Sequence, residues 1–310
     1  MTERGADIRR FLDPRVASQI EQIDLRARLV VEGFLTGLHR SPFHGFSVEF
    51  AEHRPYSPGD AIRHLDWKVF AKQDRYYIKR YYEETNLRAY LLVDQSGSMG
   101  YAGARKTPGR PSKLEYASSL AAALSYLMLG QQDAVGLVLF AEKIERYVPP
   151  RSVKSHLNQL LLHLGQARPH SQDTQVGRCL TTVAETIKRR GLVMVFSDLL
   201  DDPEHPERVL AGLKAFRYGR HEVVVFHVLD PDERRFPFHE PVEIEDLESG
   251  ERIVTHGWDV AREYRRRVDE WTARLQRECR ERQIDYVLLD TATPFDVALI
   301  RYLEKRARLH

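Results

Sequence analysis

Cysteine is scarce in this sequence, which contains only Cys179 and Cys279 among its 310 residues. They stand a hundred positions apart, and neither belongs to a CxxC pair or a Cys/His cluster. That spacing argues against both a zinc site and a disulfide framework. We therefore expect two ordinary thiols in a reducing compartment.

Long apolar runs and a strong net charge are also missing. No stretch approaches the roughly 18 consecutive apolar residues that span a bilayer, and the N-terminal MTERGADIRRFLDP lacks the apolar segment of a signal peptide. The 47 Lys and Arg residues nearly balance the 45 Asp and Glu residues, so a formal charge of +2 provides no general attraction to nucleic acid or anionic membrane. The sequence predicts a cytoplasmic protein with no membrane span and no nucleic-acid partner.

The motifs of several enzyme classes are absent as well. The sequence has no HExxH, no GxSxG, no GxxxxGKS and no GxGxxG. These absences argue against a zincin, a serine hydrolase of the α/β type and a nucleotide-binding loop. If ATP takes part in the function, we expect a partner to hydrolyse it.

Regular alternation of strand and helix patterns is what the sequence does contain. Five short, nearly continuous apolar runs have the pattern of strands buried on both faces: 88–94, 134–140, 191–197, 221–230 and 284–290. Helical patterns separate or follow them: 113–129, 152–164, 176–190, 206–217, 258–282 and a last segment after Pro294. This order predicts an α/β fold with a doubly wound, mainly parallel sheet.

Two regions do not follow that alternation. Residues 235–256 contain two short extended runs around an ESG turn, which predicts an inserted β-hairpin. Residues 1–87 begin with a helical pattern at 16–35 and end with RYYIKRYYEE, which we interpret as a strand with one aromatic face. We therefore expect an N-terminal accessory segment, 1–87, and a main domain, 88–310.

Acidic residues follow two of the predicted strands. Asp94 ends RAYLLVD, and Asp198 comes directly after GLVMVFS. Ligands of doubly wound sheets bind beyond the carboxyl ends of strands, where the strand order reverses. If these two strands flank the reversal, as in the order 3-2-1-4-5-6, both carboxylates face the same crevice.

The loop after Asp94 places hydroxyl groups beside that carboxylate. Ser96 and Ser98 alternate with it in DQSGS, and Thr174 of the loop SQDTQVG could add another hydroxyl. Carboxylate and hydroxyl oxygens suit a hard cation such as Mg²⁺ or Mn²⁺. The alternative is that the serines cap the next helix or bond to turn amides.

The segment DQSGSM, residues 94–99, resembles the first loop of the metal-ion-dependent adhesion site of von Willebrand factor A domains. The resemblance implies a von Willebrand factor A-like main domain in which five side chains surround one divalent cation, some of them through water: Asp94, Ser96, Ser98, Thr174 and Asp198. Ser171 is a rival for the second loop, because Asp173 stands where members of that family often carry a small residue.

Residues 33–86, with the pieces YSPGD, HLDWK and YYIKRYYEE, resemble the N-terminal block of the bacterial family called domain of unknown function 58. Genes of that family often neighbour those of MoxR-type AAA+ ATPases. The resemblance implies a supporting role in ATPase-driven remodelling or maturation of other proteins.

Two functions remain open on these observations. The first is a non-catalytic, metal-dependent protein-binding module whose cation accepts a carboxylate from a partner such as the MoxR-type ATPase. The alternative is a magnesium-dependent hydrolase or phosphotransferase with Asp94 as the nucleophile. Against the alternative, Ser96 stands where the second acid of such enzymes is expected.

Overall fold

A computed structural model of the protein describes residues 47–55, 67, 69–70, 76–84, 87–103, 110–170, 175–201, 205, 207–238, 240–245, 247 and 250–307. The helix predicted at 16–35 and the YSPGD segment at 56–60 lie outside these residues.

The described residues form ten strands: β1 (Ser47–Pro55), β2 (Tyr77–Glu84), β3 (Arg88–Asp94), β4 (Ala134–Phe140), β5 (Ile144–Arg151), β6 (Leu192–Ser197), β7 (Glu222–Leu229), β8 (Pro241–Glu245), β9 (Arg252–His256) and β10 (Asp285–Asp290). The helices of the same residues are α1 (Lys113–Gly130), α2 (His156–Gln166), α3 (Val176–Thr186), α4 (Glu207–Tyr218), α5 (Pro231–Arg235), α6 (Gly257–Glu281) and α7 (Phe295–Ala307). A short 3₁₀ turn, Gly97–Gly100, follows β3.

Six strands form the central sheet in the order β10-β7-β6-β3-β4-β5. All neighbouring pairs are parallel except β4 and β5. The predicted α/β fold with a mostly parallel sheet is confirmed. β4 and β6 pair with opposite sides of β3. The strand order therefore reverses between β3, which ends at Asp94, and β6, which directly precedes Asp198.

Helices cover both faces of the sheet, which explains why its central strands β3, β4, β6 and β7 are almost entirely apolar. Leu91 and Val93 of β3 pack into one core with α1, α2 and α7. Tyr90 and Leu92 point to the other face and pack with α3, α4 and α6. Successive side chains of a strand face opposite sides, so a strand buried on both faces has no polar alternation.

The edge strand β5 was not predicted. Its sequence, IERYVPPR, contains Pro149 and Pro150, and most of its side chains are exposed. Proline lacks the N–H that a central strand needs, but an edge strand tolerates it. The two prolines therefore mask the strand pattern in the sequence. The sheet can accommodate this strand only at its edge, where β5 pairs antiparallel with β4.

Smaller elements lie outside the central sheet. The predicted strand in RYYIKRYYEE is confirmed as β2, which pairs antiparallel with β1, a strand that was not predicted. Between β7 and α6 the chain forms α5 and then β8 and β9, which pair antiparallel within residues 235–256. Among the described helices, none combines the length and the apolar character needed to cross a membrane.

Candidate functional site

Asp94 lies at the carboxyl end of β3 and is fully buried. Its Oδ1 accepts a hydrogen bond from the backbone N–H of Ser96 at 2.8 Å, and its Oδ2 accepts one from the hydroxyl of Ser197 at 2.6 Å. Ser197 ends the neighbouring strand β6, so this second bond ties together the two strand ends that flank the reversal.

The loop after Asp94 is packed against the core and against the segment that precedes α3. Met99 is fully buried in the core under α1. Gly100 lies so close to Pro169 that a Cβ added to it would be 3.0 Å from the proline Cγ. The N–H of His170 donates to the carbonyl of Gln95 at 2.9 Å. The segment 167–170 is therefore attached directly to the first loop.

Two serine hydroxyls lie between the carboxylates. The Oγ atoms of Ser96 and Ser98 are 3.1 Å apart, and the Ser98 hydroxyl also donates to Asp198. Ser96 is buried, whereas Ser98 is half-buried, so the cluster is accessible from the Ser98 side. The structure thus brings together four of the five predicted residues. Thr174 and its rival Ser171 lie outside the described part of the chain.

Asp198 follows β6 and is also fully buried. Its Oδ2 lies 2.7 Å from the Nζ of Lys113, and its Oδ1 accepts a hydrogen bond from the N–H of Leu200 at 3.1 Å. The same Nζ lies 2.5 Å from Oε1 of Glu233. Asp198 therefore contacts a buried ammonium group that the sequence did not predict.

The two aspartates differ in their electrostatics. Burial, with the nearby negative charge of Asp198, raises the pKa of Asp94 to about 7. Burial also opposes ionisation of Asp198, but the charge and hydrogen bond of Lys113 outweigh it and lower the Asp198 pKa. Among the described residues, no cationic side chain forms an ion pair with Asp94. Asp94 is the carboxylate whose charge is not offset.

A second ion-paired acid follows the next strand. Asp230, after β7, is fully buried, and its Oδ1 lies 2.6 Å from Nη2 of Arg110. The hydroxyl of Thr291 donates to its Oδ2 at 3.1 Å. Arg110 also contacts Asp232, with Nη1 3.2 Å from Oδ2. Arg110 and Lys113, three residues apart, thus offset buried acids at two neighbouring strand ends.

The sequence does contain a signal for these cations. Four neighbouring parallel strands each end in an aspartate or are directly followed by one: Asp94, Asp198, Asp230 and Asp290. Because parallel strands end at one edge of the sheet, such a row of acids needs cations nearby. The basic residues between β3 and the start of α1 are the candidates, and Arg110 and Lys113 are among them.

His227 supports the backbone of the site. Its Nε2 donates to the carbonyl oxygen of Asp198 at 2.8 Å, and its Nδ1 accepts from the hydroxyl of Tyr286 at 2.6 Å. Burial lowers the pKa of His227 to about 4, so the ring is neutral at physiological pH. With both nitrogens engaged, this histidine positions Asp198.

The donor set suits a hard cation. Within the described part of the chain, no three His, Cys, Asp or Glu side chains converge as metal ligands. A cation here would depend on the oxygens of Asp94, Ser96 and Ser98. A buried carboxylate with no offsetting charge, beside two hydroxyls, is compatible with Mg²⁺ or Mn²⁺, which prefer oxygen ligands and retain some waters.

The chain is similar to uncharacterized proteins of Mycobacterium bovis and Mycobacterium tuberculosis. Each is 28% identical to it over 240 residues, which cover 77% of this chain and 73% of the relative. The names of these relatives indicate no enzymatic activity.

Two crystal structures of Bacteroides proteins are also similar. One is of an aerotolerance-related membrane protein from Bacteroides fragilis, with a TM-score of 0.49, 19% identity and coverage of 72% of this chain and 100% of that chain. The other is of BatB from Bacteroides thetaiotaomicron, with a TM-score of 0.43, 18% identity and coverage of 72% and 99%. The family model described as protein of unknown function DUF58 matches residues 52–278, and the chain belongs to that family.

Proposed function

We propose that this chain is a metal-dependent protein-binding module with a von Willebrand factor A-like domain. Asp94, Ser96 and Ser98 would hold Mg²⁺ or Mn²⁺, with Asp198 and Thr174 completing the shell in part through water. The observation that carries the proposal is the fully buried Asp94 carboxylate, which has no cationic partner among the described residues and lies beside two hydroxyls.

The charge of the centre favours an anionic partner. A bound divalent cation would supply an open coordination position for a carboxylate. Of the oxygens closest to the cation, those of Ser96 and Ser98 are neutral, and Lys113 offsets part of the charge of Asp198, so the cation would retain positive charge within its own coordination shell. A hard cation with remaining positive charge attracts carboxylate oxygens of a protein surface.

The partner that we propose is a MoxR-type AAA+ ATPase, contacted through one of its carboxylates in the cytoplasm. The family resemblance motivates this choice. The sequence supports it indirectly, because the chain has no phosphate-cradling motif of its own, so ATP hydrolysis would be the task of the partner.

The surroundings of Asp94 favour binding over phosphotransfer. The nearby His227 is neutral and engaged at both nitrogens, so it is unsuited to act as a base.

Complex formation between the purified chain and the MoxR-type ATPase from the same organism tests the proposal. We expect the two proteins to co-elute in size-exclusion chromatography with Mg²⁺ and to separate with EDTA. Asp94→Ala should abolish the complex, and the milder Ser98→Ala should weaken it, while circular dichroism remains unchanged.

Asp269→Ala is the matched control, because Asp269 is an exposed acid on α6. This variant should bind as the wild type does. A complex that survives EDTA and the Asp94→Ala change at full strength would contradict the proposal. Hydrolysis of a generic phosphoester with Mg²⁺ that disappears in Asp94→Asn would favour the enzymatic alternative.

A further inference from the structure

Lys113 is a fully buried lysine at the centre of the candidate site. Its ammonium lies 2.7 Å from Asp198 Oδ2 and 2.5 Å from Glu233 Oε1. Lysine is almost never fully buried unless it is paired, since burial removes the hydration of its charge. The two carboxylates therefore account for the charged form of this side chain in the interior.

The fold holds this ion triad in place from several sides. Lys113 is the first residue of α1, and its N–H donates to the carbonyl of Tyr101 at 3.0 Å. The second oxygen of Glu233, Oε2, accepts from the N–H of Asp230 at 2.9 Å in the capping box of α5. Backbone contacts thus position both Lys113 and Glu233.

We propose that Lys113 is a permanent counter-ion of the metal centre. It offsets one of the two negative charges of Asp198 and Glu233, so that Asp94 is the carboxylate of the centre that has no ammonium beside it among the described residues. This inference rests on the proposed function, and it adds what sets the affinity and net charge of the centre. With this counter-ion, the centre binds its cation less tightly than it would if Asp198 had no ammonium beside it. The potential around the bound cation is then more favourable to an acidic ligand.

Charge substitutions around Lys113 should then have effects of opposite sign. In Lys113→Met, Asp198 and Glu233 lose their cation, so the metal-free protein becomes less stable and a divalent ion binds more tightly. In Glu233→Gln, the ammonium is offset by Asp198 alone, so the local potential becomes more positive and the ion binds more weakly. A merely structural role of Lys113 would weaken binding in both variants.

Titration with Mn²⁺ alone, followed by electron paramagnetic resonance of the free ion, measures this effect. We expect roughly ten-fold tighter binding in Lys113→Met and roughly ten-fold weaker binding in Glu233→Gln than in the wild type. Thermal unfolding in EDTA should show a lower midpoint for Lys113→Met, and Mn²⁺ should raise that midpoint by more than it raises the wild-type midpoint. Lys154→Met is the matched control, because Lys154 is exposed, and it should leave both quantities unchanged.

The outcomes separate this inference from the proposed function. Wild-type binding of Mn²⁺ with equal or weaker binding in Lys113→Met would overturn the role of Lys113 and leave the metal-dependent module intact. Absence of Mn²⁺ binding in the wild type and in every variant would overturn both. If Lys113→Met does not fold, Glu233→Gln is measured alone, and unchanged or tighter Mn²⁺ binding in that variant would overturn the inference. Weaker binding supports the inference when the unfolding midpoint in EDTA equals that of the wild type, whereas weaker binding with a lowered midpoint would indicate a structural role and overturn it.

Discussion

At the scale of single residues, two buried aspartates with a pKa of about 7 have different surroundings. In Asp94 the nearby Asp198 adds to the effect of burial. In Asp133, at the N-terminal end of β4, burial alone raises the pKa. Its Oδ1 accepts from the N–H of Leu87 at 3.1 Å, whereas no described residue donates to its Oδ2. Asp133 is therefore a source of pH-dependent stability that is separate from the candidate site.

We predict that Asp133→Asn removes part of the pH dependence of folding. Because the folded pKa of Asp133 exceeds its unfolded value, the folded protein binds more protons between about pH 4 and pH 7. The wild-type free energy of unfolding should therefore fall relative to that of the variant as pH rises through this window. The difference should be on the order of a few kcal/mol at pH 8.

Urea unfolding of both proteins at pH 5 and pH 8 measures this difference. The asparagine keeps an acceptor for the N–H of Leu87, so the substitution tests the charge and not that hydrogen bond. A difference in the free energy of unfolding between the two proteins that is the same at both pH values would show that Asp133 stays ionised in the folded protein at pH 5.

At the scale of secondary-structure elements, helices α3 and α4 meet through two glycines. A Cβ added to Gly177 would lie 2.4 Å from the carbonyl carbon of Arg208, and one added to Gly212 would lie 2.7 Å from the carbonyl oxygen of Gly177. The N–H of Gly177 also donates to Asp201 at 2.8 Å. This close approach positions the start of α3, which directly follows the loop that contains Thr174.

We predict that Gly177→Ala separates the two helices and lowers the free energy of unfolding by about 1–3 kcal/mol. The clash involves backbone atoms of α4, which cannot rotate away as a side chain can. Gly130→Ala is the matched control, since no atom lies within 4 Å of its added Cβ at the end of α1. Thermal or urea unfolding should show little change for the control, and equal effects of both substitutions would refute the packing argument.

At the scale of the whole molecule, the sheet separates two hydrophobic cores that share its strands. Leu124 of α1 belongs to one core, and Phe216 of α4 belongs to the other. Both are fully buried. Because the same strands contribute alternate side chains to the two cores, we expect them to unfold together.

We predict that Leu124→Ala lowers the free energy of unfolding by about 2–5 kcal/mol and Phe216→Ala by about 3–5 kcal/mol. The double variant should show the sum, because residues on opposite faces have no shared contacts. Circular dichroism and tryptophan fluorescence in urea should report one coincident transition. Two separate transitions would mean that the faces of the sheet are independent units.

Much of the architecture could be predicted from the sequence, because a strand buried on both faces and a helix between strands have distinct patterns. The parallel strands and the convergence of Asp94 and Asp198 follow from those patterns and from the rule that ligands lie at strand ends. The edge strand β5 was not predicted because its prolines are tolerated only in an edge strand, and the sequence does not show which strand lies at the edge of the sheet.

The sequence by itself determined the alternation of strands and helices, the burial of the central strands and the row of acids at one edge of the sheet. Only the tertiary structure determined which basic side chain pairs with which buried acid at that edge. Lys113 lies 85 residues from Asp198 and 120 from Glu233 along the chain, and the three meet because the sheet and α5 bring them together. No local pattern encodes such a contact, since it depends on the order of strands and on the packing of α1.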